Sequence, residues 1–140
     1  MFLLDTNVLS AMISPEIPPP VDAWVAGTPL RFLFTTSVSQ AEILAGIAVL
    51  PEGRRRHGLN EAARAAFEGD FAGKIWSFDT VAAEAYAEIF AARRRAGRPT
   101  KPTDLMIAAI ALAHDASVVT RNIRDFKGCG IAVINPWEEA

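Results

Sequence analysis

The sequence predicts an α/β protein, a three-layer α/β/α sandwich around a parallel sheet of about five strands. Short apolar segments alternate along the chain with segments whose apolar residues recur at helical spacing. The strand-like segments are apolar at consecutive positions, as in strands that are covered on both faces. With 140 residues, 51% hydrophobic and 21% charged, the chain provides one buried core, so we expect a single domain over residues 1–140.

Five strands are predicted from apolar segments that end at polar or turn residues, at residues 2–4, 30–35, 75–78, 117–120 and 132–134. Six helices are predicted from helical periodicity, at residues 8–13, 21–26, 37–50, 59–71, 80–96 and 104–113. Residues 121–130 are expected to form a loop. The alternation of strands and helices supplies the crossovers that a parallel sheet needs.

Local signals define the ends of these helices. The four prolines between residues 15 and 20 end the first helix and predict an extended linker. The third helix begins at overlapping capping-box patterns that start at Ser37 and Ser39. Asp79 is expected to cap the fifth helix and Thr103 the sixth.

Charge, cysteine and hydropathy exclude several classes of protein. A net charge of −2 argues against a protein that coats nucleic acid through overall positive potential. The single cysteine, Cys129, cannot form an internal disulfide or, alone, a zinc site. The longest apolar stretch, residues 105–113, is too short to span a bilayer, and the N-terminus lacks the basic start of a signal peptide. We therefore expect a soluble, cytoplasmic protein with no membrane contact.

Basic residues form three local clusters, at residues 54–57, at residues 93–101 and at residues 121–127. Solvated helix faces or loops are the favoured interpretation of the first two, and residues 93–95 fall in the last turn of a helix, where cations are favourable. In the third cluster, Arg121 and Arg124 lie beside the edge where chemistry is expected. For these two arginines, contact with a phosphate and a solvated loop both remain open.

Acidic and amide side chains collect at one predicted edge of the sheet. In open parallel sheets, sites form where the carboxyl ends of strands meet helix N-termini. Asp5 follows the first strand, Glu42 lies in the first turn of the helix after the second strand, and Asp104 opens the last helix. Asn122 and Asp125 follow the fourth strand. Helix capping alone is a structural alternative for Glu42 and Asp104.

The convergence of Asp5, Glu42 and Asp104 predicts a metal site. Three carboxylates on one edge repel each other unless a cation joins them. All-oxygen ligands without a nearby histidine or cysteine favour Mg²⁺ or Mn²⁺. Such an ion serves phosphate-ester chemistry, because it activates water and neutralises charge on the phosphate without a covalent nucleophile.

Four segments are distinctive: FLLDTNVLS at the start, TTSVSQAEILAGI around Glu42, PTDLMIAAIALAHDASVVTRNIRDF around Asp104, and INPW near the end. Together they resemble the VapC/FitB group of PIN-domain toxins. They are spread in order over nearly the whole chain. The resemblance implies a PIN-like fold and an endoribonuclease toxin that depends on Mg²⁺ or Mn²⁺. It assigns the metal to Asp5, Glu42 and Asp104, with support from polar neighbours: Thr6, Asn7, and Thr36 or Ser37.

The fourth acidic position departs from the family's pattern. Members of the group often carry an aspartate there, whereas this chain has Asn122, with Asp125 one helical turn later. An amide oxygen brings no charge, so we expect one metal ion, or a second one recruited with the substrate.

The resemblance also implies partners. Proteins of this group form homodimers, or higher assemblies with a cognate antitoxin, and they contact promoter DNA only through that antitoxin. The antitoxin's C-terminal tail is expected across the acidic groove, with an arginine in place of the metal. Residues 15–24 are a candidate part of that surface; the alternative is a rigid linker with Trp24 buried.

Two other functions remain open from the sequence. The chain can act mainly as an antitoxin-bound dimerisation partner in promoter autoregulation, although such a role has no use for three carboxylates. It can also be another Mg²⁺-dependent phosphate-ester hydrolase of the haloacid-dehalogenase kind. That mechanism requires a second aspartate two residues after Asp5, but this position is Asn7. The RNA target cannot be inferred from the sequence.

Overall fold

Five parallel strands form a single sheet in the computed structural model, which describes residues 1–138. The strands are β1 (Phe2–Leu4), β2 (Leu33–Thr36), β3 (Ile75–Trp76), β4 (Ser117–Val119) and β5 (Val133–Ile134). Their order in the sheet is β3-β2-β1-β4-β5, and every neighbouring pair is parallel. The predicted fold class is thus confirmed. The single domain over residues 1–140 stays a prediction, and residues 139 and 140 lie outside the described part.

Seven α-helices connect and flank the strands within residues 1–138: α1 (Thr6–Ile13), α2 (Pro19–Ala26), α3 (Ser37–Ala48), α4 (Arg54–Ala65), α5 (Thr80–Arg95), α6 (Pro102–Ala113) and α7 (Ile123–Phe126). A 3₁₀ turn at Leu30–Phe32 precedes β2, and a π-helical turn at Ala66–Asp70 continues α4. In this part of the chain, no helix combines the length and the apolar composition needed to cross a membrane.

The sheet is covered on both faces because consecutive strand residues point in opposite directions. Leu3 and Val118 pack into one apolar cluster with α5 and α6, while Leu4 and Val119 pack into another with α1 to α4. All four side chains are fully buried. This alternation explains the runs of consecutive apolar residues in the sequence and produces the three layers.

Several element boundaries differ from the predicted ones. The linker ends at Pro18, because α2 begins at Pro19, where a missing N–H is no loss in the first turn of a helix. The strand predicted from residue 30 begins at Leu33, after the 3₁₀ turn. Helix α4 begins at Arg54, so the first basic cluster is a helical turn and not a loop. The predicted loop at residues 121–130 contains the short helix α7.

The capping predictions are partly confirmed. Asp79 caps α5 and accepts a hydrogen bond from Ala82 N at 2.9 Å. Helix α3 begins at Ser37, as predicted, but its cap is Thr36, whose Oγ1 accepts from Ser39 N at 3.0 Å, so the predicted Ser37 cap is wrong. Glu42 consequently lies in the second turn of α3, where capping does not account for it. Thr103 is not a cap either, because α6 begins at Pro102 without a side-chain cap.

The second basic cluster contains a buried arginine. Arg93 is only 4% exposed, although its position in the last turn of α5 predicted a solvated cation. Its guanidinium donates to backbone carbonyl oxygens of Arg98, Arg124 and Lys127. Arg93 therefore joins the end of α5 to the loop before α6 and to α7.

Candidate active site

The candidate site lies where the strand order reverses. From β1 the chain proceeds to β2 and β3 on one side, and it then returns to β4 on the other side of β1. Such a switch point leaves a crevice at the carboxyl ends of the two central strands. Asp5 follows β1 directly, and Thr120 follows β4 directly.

Asp5 is held rigidly at this switch point. The side chain is 3% exposed. Its Oδ1 accepts a hydrogen bond from Thr6 N at 2.8 Å, and its Oδ2 accepts from Thr120 Oγ1 at 2.7 Å and from Asn7 Nδ2 at 3.3 Å. Burial raises the pKa of Asp5, the two strongest hydrogen bonds oppose that rise, and the charges of Glu42 and Asp125 add to it.

Thr120 was not among the residues predicted from the sequence. Its hydroxyl donates to Asp5 Oδ2 and accepts from Asn7 Nδ2 at 3.2 Å and from Asn122 N at 3.0 Å. One donor and two acceptor positions are therefore all used. Thr120 connects Asp5 to the loop after β4, and a polar residue at the end of the apolar fourth strand is the sequence signal that could have indicated it.

Glu42 reaches the site through contacts between α1 and α3. Thr6 Oγ1 donates to Glu42 Oε1 at 2.7 Å and lies 2.9 Å from Ser39 Oγ. Ser39 is fully buried and was also missed by the sequence analysis. Glu42 is exposed and lies beyond the first turn of α3, and the hydroxyl of Thr6, the residue next to Asp5, binds its carboxylate.

Asp104 lies in the first turn of α6, on the same edge. Burial, together with the charges of Asp5, Asp125 and Glu42, raises its pKa to about 6, while Lys101 opposes the rise. The charges of these carboxylates add to the effect of burial on the pKa values of Asp5 and Asp104. The predicted triad and Asp125 therefore influence one another electrostatically at this edge of the sheet.

The remaining predicted residues have distinct positions. Asn122 is exposed, and its side chain makes no hydrogen bond to residues 1–138, so Asp125 is the residue that brings a fourth charge to this edge. Arg121 donates its backbone N–H to Asn7 Oδ1 at 3.1 Å and places its guanidinium 5.0 Å from the Trp137 ring centre. Three others lie nearby with lesser contacts: Thr36 as the cap of α3, Ser37 in its first turn, and Arg124 exposed on α7.

The donor set fits a hard divalent cation in its chemistry. The candidate ligands are carboxylate oxygens, and the pKa of Asp104 is raised first by burial and then by the charges of the other carboxylates. Within residues 1–138, no three His, Cys, Asp or Glu side chains already surround a common point closely enough to hold an ion. Mg²⁺ suits such an open arrangement, because it usually keeps several waters and takes only one or two carboxylates directly.

Replacing Thr120 with valine, which has nearly the same shape, is expected to destabilise the fold by about 2 kcal/mol, because three hydrogen bonds at a buried site are lost. Urea unfolding of the two proteins measures this difference. Thr120→Ser keeps the hydroxyl and is the matched control, with an expected loss below about 1 kcal/mol. Equal stability of the valine variant and the wild type contradicts the assigned role.

Comparison with known proteins identifies the family. A family model described as PIN domain matches residues 2–129. Plasmid stability protein StbB of Pseudomonas syringae pv. tomato is 41% identical over 138 residues, which are 99% of each chain. VapC ribonuclease Y4jK of Sinorhizobium fredii is 34% identical over 140 residues, which are all of both chains.

A solved structure gives the same result. In the structure of FitAB bound to an IR36 DNA fragment, one chain is 34% identical to this protein and superposes with a TM-score of 0.93. The match covers 100% of this chain and 98% of that chain. The expected resemblance is thus confirmed over the full length: this chain belongs to the PIN-domain family, within the VapC/FitB group.

Proposed function

We propose that this protein is a metal-dependent endoribonuclease and the toxin component of a type II toxin–antitoxin pair. The observation that carries the proposal is the buried Asp5 at the switch point, which shares its electrostatic environment with Glu42 and Asp125. Membership of the PIN-domain family and the similarity to VapC ribonuclease Y4jK support nuclease chemistry.

Asp5, Glu42 and Asp104 are the residues that would hold Mg²⁺ or Mn²⁺, and Asp125 would assist through water. When bound, the ion supplies an activated water and neutralises charge on the phosphate that is attacked. A fixed orientation of the ligands strengthens such a site, since every rotamer locked beforehand lowers the cost of binding.

The chain's own polar residues provide that orientation. Thr120 and Asn7 fix Oδ2 of Asp5, and Thr6 fixes Glu42 through its hydroxyl. Arg121, whose guanidinium lies near Trp137, would contact a phosphate of the RNA backbone. Binding, orientation and charge neutralisation are thus divided between separate residues.

We further propose that a cognate antitoxin covers this edge and that the toxin acts as a homodimer, alone or in a higher assembly with the antitoxin. The FitAB complex, which binds a DNA fragment, supports this partner and contact with promoter DNA through it. Residues 15–24 offer only part of such a surface: Val21 is buried, and Trp24 packs edge-on against Phe2 with ring centres 5.3 Å apart. Ile17, 39% exposed, remains available.

Removal of metal tests the activity. Protein freed of any antitoxin is expected to cleave a mixed pool of cellular RNA in Mg²⁺ or Mn²⁺, to lose cleavage in EDTA, and to regain it when excess Mg²⁺ is added. Gel analysis of fragment ends measures the rate. Cleavage that persists in EDTA contradicts metal dependence, and absence of cleavage with either ion favours the role of a dimerisation partner in promoter regulation.

A further inference from the structure

A cavity lies beside α7, next to the candidate site. It has a volume of about 560 Å³, and we call it the Arg93 pocket; its lining residues are Arg93, Arg98, Pro99, Ile123, Arg124, Asp125 and Lys127. Four of these residues are cationic and one is acidic. The cavity lies between the loop that follows α5 and the segment around α7, the two segments that Arg93 joins.

One nitrogen of the buried Arg93 guanidinium makes no hydrogen bond to the described residues. Nε and Nη1 donate to three backbone carbonyl oxygens, and Nη2 has no acceptor among residues 1–138. No fully buried side-chain nitrogen in that part of the chain lacks a partner, so Nη2 retains some contact with open space, and Arg93 itself lines the cavity. No carboxylate of the described residues forms an ion pair with Arg93. A nearly buried positive charge without a counter-ion favours an anion at this point.

The pocket shares one residue, Asp125, with the edge that carries the candidate active site. This residue lines the pocket, and its charge also acts on Asp5 and Asp104. Asp125 thus connects the pocket with the carboxylate edge. Pro99 and Ile123 provide apolar walls, which strengthen a charge-assisted hydrogen bond inside the cavity.

We propose that the Arg93 pocket binds a backbone phosphate of the RNA strand next to the cleaved bond. The phosphate accepts hydrogen bonds from Nη2 of Arg93, and the exposed side chains of Arg98, Arg124 and Lys127 close around it. Since a phosphate carries no base information, the pocket adds affinity and sets the position of the strand, without adding sequence preference. This inference rests on the proposed function, which makes RNA the substrate.

Arg98→Ala and Lys127→Ala test the pocket without disturbing the fold. Arg93 contacts the backbone carbonyls of these residues and not their side chains, so truncation leaves those hydrogen bonds in place. Arg31→Ala is the matched control, because it removes the same charge from the 3₁₀ turn that precedes β2, at the opposite edge of the sheet.

The measurement is equilibrium binding of a labelled single-stranded RNA, about 12 nucleotides long, in EDTA, where metal-dependent cleavage is absent. Each pocket variant is expected to bind about fivefold more weakly than the wild type, whereas Arg31→Ala binds within about twofold of it. The dependence of log K on log salt concentration is expected to become shallower by about 0.7 for each lost phosphate contact. The ratio of the Kd of each variant to the Kd of the wild type should be the same for adenine-rich and uracil-rich RNA.

Three results overturn the proposal: pocket variants that bind like Arg31→Ala, a wild type that does not bind the RNA, or variants that bind RNA normally but lose binding of a poly-glutamate peptide. The last result assigns the pocket to an acidic protein segment. A wild type that shows the expected binding contrast but cleaves no RNA in Mg²⁺ contradicts the proposed nuclease function and leaves the phosphate pocket intact.

Discussion

Replacing Asp5 with asparagine is expected to lower the rate of RNA cleavage by at least about 100-fold while leaving the protein folded. The amide keeps the shape of the carboxyl group and can still accept from Thr6 N, but it removes the buried negative charge that a cation needs. Cleavage rates in Mg²⁺, measured with an unfolding curve for each protein, separate the two effects.

Asp22→Asn is the control for this prediction, because Asp22 is an exposed acid in the first turn of α2 and its loss changes the net charge by the same amount. The control is expected to cleave RNA at the rate of the wild type. If Asp5→Asn is folded and equally active, Asp5 is not part of the catalytic site. If the Asp5→Asn variant unfolds, the hydrogen bonds of the Asp5 carboxylate stabilise the fold by more than the burial of its charge destabilises it.

The position of the site was predictable because it depends on signals that are local in sequence. Asp5 ends an apolar run, and Asp104 begins a helix that is apolar on nearly every side. The rule for parallel sheets then brings strand ends to one edge, whatever the details of packing. The same reasoning was less accurate for Glu42, because its helix is capped by Thr36, the last residue of β2, and not by Ser37 or Ser39.

Residues that act through long-range contacts could not be found in the same way. Thr120 bonds to Asp5, from which it is separated by 115 positions, and that contact exists only because β1 pairs with β4. Arg93 donates to three backbone carbonyl oxygens. Because every residue has a backbone carbonyl, the sequence does not indicate which residues Arg93 contacts. Helix α7 is a single turn and has no periodicity to detect.

The Asp104→Asn variant is expected to be more stable than the wild type at pH 7.5 in EDTA, by about 1 kcal/mol after allowance for solvent screening of this partly exposed side chain. The pKa of Asp104 is raised from 3.8 to about 6 by burial and by the other carboxylates. A carboxyl group whose pKa is raised on folding favours the folded state below pH 3.8, and that contribution is lost as the pH rises through about 6. The difference between the two proteins should therefore vanish near pH 4.

Urea unfolding from pH 4 to 8 measures this difference, and Glu84→Gln, which removes an exposed carboxylate of α5, is expected to follow the wild type at every pH. A variant that is less stable than the wild type at pH 7.5 contradicts the prediction.

Mg²⁺ should reverse the order of stability of Asp104→Asn and the wild type, because a cation at ten times its Kd adds about 1.4 kcal/mol to the wild type and less to a protein without this ligand. The burial and mutual repulsion of carboxylates that weaken the metal-free fold would then also favour a cation at this edge.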